Sequence, residues 1–172
     1  MAKFLRSWQP KIEVVRFTLD QAIEYYREFR EIFSKDQPLP KLKEITQDGR
    51  NKLDGCLGNI RQQTKKKGYF YKPGIETAAA YFYFVNKSHW LFNGNKRSAM
   101  IFTLIYFKIH NKWLRMNWGE LYNLAKKVAI YSGPPRKMLN EMKDVFQHSL
   151  IDYEEGIFDE FMVSWEQWRE TQ

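Results

Sequence analysis

The sequence predicts a mainly α fold, a helical bundle with a central buried helix pair and a short β-hairpin flap. Three observations predict it. Segments 75–88 (IETAAAYFYFVNKS) and 95–110 (NKRSAMIFTLIYFKIH) are apolar on nearly every side, and two consecutive helices of that kind need neighbours all round. Shorter stripes with apolar residues three and four apart flank them. The chain has 172 residues, 44% hydrophobic and 17% aromatic, which suits a single domain with one core and excludes a disordered chain.

The elements follow in order. Residues 12–17 (IEVVRF) read as a short strand. Thr18 with Gln21 three residues on forms a capping box, opening a helix to about Phe33. Pro38 and Pro40 mark a loop. Residues 41–67 are helical in pattern, interrupted at Gly49, Gly55 and Gly58. Residues 68–74 (GYFYKPG) carry an aromatic, strand-like core between Gly and Pro-Gly, the signature of a hairpin or flap. The buried pair comes next. Asn117 with Glu120 opens a further helix bearing Leu121, Leu124, Ala125 and Val128, which the Gly133-Pro134-Pro135 run closes. Met138, Leu139, Met142, Val145 and Phe146 make another stripe. Finally Ile157, Phe158, Phe161, Met162, Trp165 and Trp168 predict an acidic amphipathic helix within residues 154–172, covering the core.

Composition narrows the function classes. The single cysteine, Cys56, excludes an internal disulfide framework and a cysteine-based zinc site. The longest apolar runs, 78–85 and 99–107, are too short to cross a bilayer, and residues 1–10 lack an apolar signal core. A cytoplasmic protein with no membrane partner is expected. The net charge is +8, but residues 1–151 hold 27 basic and 13 acidic side chains while residues 152–172 hold one and seven. A basic body favours anionic partners. Residues 61–72 (RQQTKKKGYFYK) concentrate five basic groups beside aromatics suited to base stacking. By itself this is a weak argument for nucleic acid, which is not the expected partner.

Between the buried helices lies His89-Trp90-Leu91-Phe92-Asn93-Gly94-Asn95-Lys96-Arg97-Ser98, dense in polar groups where a core wants none. Gly94 permits a backbone conformation closed to other residues and close approach by a ligand. From Asn95 onward the amides of a new helix point outward with the positive end of its dipole, and Lys96 and Arg97 add two cations. Cations there oppose the dipole and call for an anion. Glycine, helix start and cations together predict a phosphate site built from Gly94, Asn95, Lys96 and Arg97, in a chain with neither GxxxxGK[ST] nor GxGxxG. His89, five residues earlier, is placed to take a proton from a hydroxyl attacking that phosphate. His110 and His148 have no such setting and read as structural.

The string H-x-x-x-N-G-N-K-R from His89 to Arg97 resembles the Fic/Doc signature HxFx[D/E]GN[G/K]R, and Lys96 matches the death-on-curing (Doc) variant of it. The order of strand, helix, Gly-interrupted helix, flap, apolar helix, motif and long apolar helix is similar over about residues 14–153. The resemblance implies a toxin of a toxin–antitoxin system. His89 would deprotonate a Ser or Thr hydroxyl of a protein target, and Gly94 to Arg97 would hold the phosphates of ATP. The position of Asn93 would bind magnesium, and the flap residues Lys67, Tyr69, Phe70, Tyr71 and Lys72 would pair with the target's backbone as an added strand. Doc-like members transfer the terminal phosphoryl to a translation elongation factor and are restrained by a separate antitoxin protein, whereas Fic members transfer a nucleotidyl group.

Three departures qualify that expectation. Asn93 replaces Asp or Glu, so its amide oxygen brings no charge against a hard cation and metal affinity falls. Leu91 replaces Phe, a mild packing change. Met100 stands where nucleotidyl-transferring members carry a second Arg, which with Lys96 favours the Doc-like branch. Residues 149–156 (SLIDYEEG) hold the pieces of the family's inhibitory pattern at the wrong spacing. The rival expectations are nucleotidylation on the same scaffold, or a degenerate member that binds but does not transfer.

Overall fold

Two helices with almost no exposed surface organise the chain. The computed structural model describes residues 16–33, 44–62, 71 and 74–171. Among these, α1 spans Leu19–Phe33, α2 Gln47–Arg61, α3 Ile75–Lys87, α4 Asn95–Ile109, α5 Trp118–Ile130, α6 Pro135–Ser149 and α7 Ile157–Glu170. The central pair is α3 and α4, packed most extensively on each other. Every residue of α4 from Arg97 to Ile109 is buried, as are Thr77 to Tyr83, Val85 and Asn86 of α3. Helices α1, α2, α5 and α6 surround the pair, and α7 packs on α5.

Three of the helix starts are set by short polar side chains. Thr18 and Gln21 form the expected reciprocal cap of α1, the Thr18 amide donating to Gln21 Oε1 (2.9 Å) and the Gln21 amide to Thr18 Oγ1 (3.3 Å). Thr46 Oγ1 accepts from the Gly49 amide (3.0 Å) and opens α2. Asn117 and Glu120 complete a capping box on α5. Pro135 takes the first position of α6, where its missing N–H costs nothing. Polar groups on the central pair reach the backbone of a neighbouring helix. Lys87 Nζ donates to the carbonyls of Ala129 (2.8 Å) and Tyr131 (2.6 Å) at the end of α5, and Asn86 Nδ2 donates to Ala125 O (2.9 Å). Arg16 Nε does the same for Ile60 O near the end of α2 (3.2 Å).

A small antiparallel sheet pairs β1 (Lys112–Leu114) with β2 (Leu150–Asp152), in register Lys112–Asp152, Trp113–Ile151 and Leu114–Leu150. The sequence reading contains no such pair. Three-residue strands are too short to show alternation, and their partners lie far apart in the chain. The strand expected at residues 12–17 lies outside the described residues except for Arg16 and Phe17, which are not in a strand. Of the expected flap, only Tyr71 and Gly74 are described. Helix α7 covers the core as expected. Phe161 meets Trp113 (5.8 Å between ring centroids) and Trp118 (5.7 Å), and Trp165 meets Trp118 (6.2 Å). No helix among the described residues is long and apolar enough to cross a membrane.

Candidate active site

The connection from α3 to α4 is shaped by which side chains can leave the core. Trp90 and Leu91 are buried. The Trp90 ring lies edge-on to Tyr26 (4.9 Å) and stacks on Phe102 (6.3 Å), so the loop is pinned by two aromatic contacts to different helices. The residues on either side of this anchor turn outward: His89 and Asn93 are exposed, and Phe92 is fully so. His89 holds a left-handed backbone, φ 50°. For a residue with a Cβ that conformation costs about 1–2 kcal/mol, and such strain gathers at functional sites. The loop closes through Asn95, whose Oδ1 accepts from the Leu91 amide (3.0 Å) and whose Nδ2 donates to the Leu91 carbonyl (2.8 Å).

Gly94 then reverses the chain into α4 at φ 100°, with no side chain capping the helix. The first intrahelical bond runs from Ser98 N to Gly94 O (2.9 Å), reinforced by Ser98 Oγ (3.0 Å). The amides of Asn95, Lys96 and Arg97 precede it, as a helix start leaves them. The two cations are not equivalent. Lys96 is half-buried, whereas Arg97 is 7% exposed. Burial lowers the Arg97 pKa, and the nearby Tyr122 and Tyr26 hydroxyls oppose that shift. The guanidinium stays charged, so Arg97 contributes positive potential from beneath the surface. The Asn95 side chain is committed to Leu91, leaving only its backbone amide at the helix start.

His89 opens on a pocket of about 400 Å³ that no sequence signal announces. Glu44, Ile45, Thr46, Asp48 and Gly49 form one wall and His89 to Phe92 the other. None of Gly94 to Arg97 lines it. The walls meet backbone to backbone, because a Cβ on Gly49 would lie 2.3 Å from the Trp90 carbonyl oxygen. Only glycine allows that approach. Compared with models of protein families, with curated proteins and with solved structures, the chain finds no match.

The remaining candidates separate on their surroundings. Burial pushes the Cys56 thiol up to about 12, too high for a nucleophile. His148 Nδ1 lies 2.7 Å from the Asp144 carbonyl of its own helix. His110 packs on Tyr106 (4.6 Å), at the far end of α4 from Gly94. The Tyr71 carbonyl accepts from Arg16 Nη2 (2.6 Å), and the Tyr71 ring meets Phe84 edge-on (5.9 Å), near the end of α3 that leads to His89. The other flap residues, Lys67, Tyr69, Phe70 and Lys72, lie outside the described residues. A larger cavity, about 780 Å³, lies around β1, β2 and the start of α7, lined by Glu120, Asp152, Glu154, Glu155 and Glu160 with Arg115 as its one basic residue. Those carboxylates repel phosphate, so its size does not make it an anion site.

The described residues do not fit a protein-held magnesium ion. Asn93 offers a neutral oxygen in solvent, and among the described residues no three of His, Cys, Asp and Glu stand together as a metal group.

Proposed function

We propose that the protein transfers the terminal phosphoryl group of ATP to a Ser or Thr hydroxyl of a protein target, in the manner of the Doc-like toxins its His89–Arg97 string resembles. The observation that carries the reading is His89 itself, an exposed imidazole held at φ 50° on a pocket rim, five residues before an uncapped helix start with a cation on its first turn. The helix amides and Lys96 would hold the transferring phosphates, with Arg97 adding field from below. The hydroxyl oxygen forms a bond to the terminal phosphorus as its proton passes to His89. The bridging P–O bond breaks and its electron pair leaves with ADP. Such transfer depends on positioning and charge stabilisation more than on covalent chemistry from the protein. A translation factor as target, and a separate antitoxin covering the site, belong to this proposal through the same resemblance.

The test is incubation of the protein with ATP, magnesium and cell extract, labelled in parallel at the terminal and the α phosphate, with His89→Ala as control. Terminal label on a protein, lost in His89→Ala, is the expected result. Label from the α phosphate would replace phosphoryl by nucleotidyl transfer. No label on any protein in either sample would overturn the reading.

A further inference from the structure

We infer that the pocket between the start of α2 and the His89–Phe92 loop seats the acceptor segment, and that its acidic wall selects a Ser or Thr flanked by Lys or Arg. This rests on the reading of His89 as the transfer base. The pocket shares His89 but none of the helix amides that would hold phosphate, so donor and acceptor have separate approaches to one imidazole. Charge decides which is which. Glu44 and Asp48 stand on the wall facing the loop, and their carboxylates disfavour a triphosphate while favouring a cationic side chain. Asp48 is 71% exposed and pairs with Lys52 (2.6 Å) one turn along α2. A solvated pair of that kind is weak, so an arriving lysine or arginine competes with it at small cost. Phe92, fully exposed on the opposite wall, offers an apolar contact to the same segment. The close approach of Gly49 to the Trp90 carbonyl brings the two walls into backbone contact.

The experiment measures binding apart from transfer. Fluorescent peptides in which Ala replaces the acceptor hydroxyl, flanked either by Lys or by Glu, are titrated by anisotropy against wild type, Glu44→Gln and the double variant Glu44→Lys/Asp48→Lys. Circular dichroism checks that each variant is folded. The Lys peptide should bind wild type about threefold tighter than the Glu peptide, the worth of one or two exposed ion pairs. The preference should shrink in Glu44→Gln and reverse in the double variant. Equal binding of both peptides by wild type, or a preference unchanged in the variants, overturns the inference. A second arm offers Ser-containing peptides with labelled ATP. A charge preference in binding with no label on any peptide overturns the transfer reading and leaves the acidic wall's selectivity standing. Label appearing equally on both peptides does the opposite.

Discussion

The α-carbon of Gly49 lies so close to the carbonyl oxygen of Trp90 that a methyl group there would come within 2.3 Å of it. This joins the first turn of α2 to the residue after His89. Gly49→Ala sets two effects against each other. A helical Ala gains about 1 kcal/mol over Gly, while forcing an atom into a filled contact costs about 1–3 kcal/mol. With backbone as the obstacle, the clash should win. Urea unfolding should show a net loss of stability, and transfer activity should fall further than stability accounts for. A stabilised Gly49→Ala protein would show that the two walls separate freely.

His89 makes a complementary prediction. Its left-handed backbone costs about 1–2 kcal/mol for any residue with a Cβ, and glycine escapes that cost at the expense of about 0.5–1 kcal/mol of extra chain entropy. His89→Gly should therefore be as stable as His89→Ala or more so, by up to about 1.5 kcal/mol, with both inactive. Denaturant midpoints of the two variants decide it. An Ala variant clearly more stable than the Gly variant would mean that φ 50° is not a strained state of the loop.

The clasp between Asn95 and Leu91 uses both ends of one amide, so Asn95→Asp is a one-sided test. The acceptor for the Leu91 amide survives, but the donor to the Leu91 carbonyl becomes a second acceptor facing it. Leaving a buried acceptor unmet costs about 1–3 kcal/mol. A negative charge at a helix start returns about 0.3–1 kcal/mol. A net loss of about 1 kcal/mol is expected in thermal or urea unfolding. The added charge also sits where phosphate is proposed to bind, so ATP affinity should fall more than the stability change suggests.

How much of this was readable in the chain depends on the range of the interaction. The buried pair α3 and α4, the caps at Thr18 and Asn117 and the stripe of α7 follow from neighbours within a few residues, and periodicity exposes such things. Gly94 as a turn and His89 as an outward residue belong to the same class. The β1–β2 pair, the Glu44 to Gly49 wall and the inward placement of Arg97 do not. Each depends on segments brought together by the fold: Lys112 with Asp152, Gly49 with Trp90, Arg97 with Tyr26 and Tyr122. Nothing local marks them. Gly49 in particular reads as an interruption of a helix, because its purpose lies in another part of the chain. The sequence reading of Asn95 concerns its helix-start amide and does not include the two bonds its side chain makes to Leu91.

His110 gives the chain a pH dependence independent of the candidate site. Burial lowers its pKa below the usual 6.5, and Arg16 lowers it further. Its Nε2 is buried with no hydrogen-bond partner among the described residues, and its ring lies against Tyr106. The unfolded chain therefore takes up a proton at His110 before the folded one does. The stability tied to the neutral ring is complete above about pH 6.5 and is lost as pH falls through the lower folded value. The slope of stability against pH from this residue is at most about 1.4 kcal/mol per unit, one proton's worth. Stability measured from pH 8 down to 5 should fall in the wild type on its acid side. His110→Gln, which cannot take up the proton, should flatten that limb while leaving the region above neutrality little changed in slope. An unaltered acid limb in His110→Gln would assign the fall to other groups.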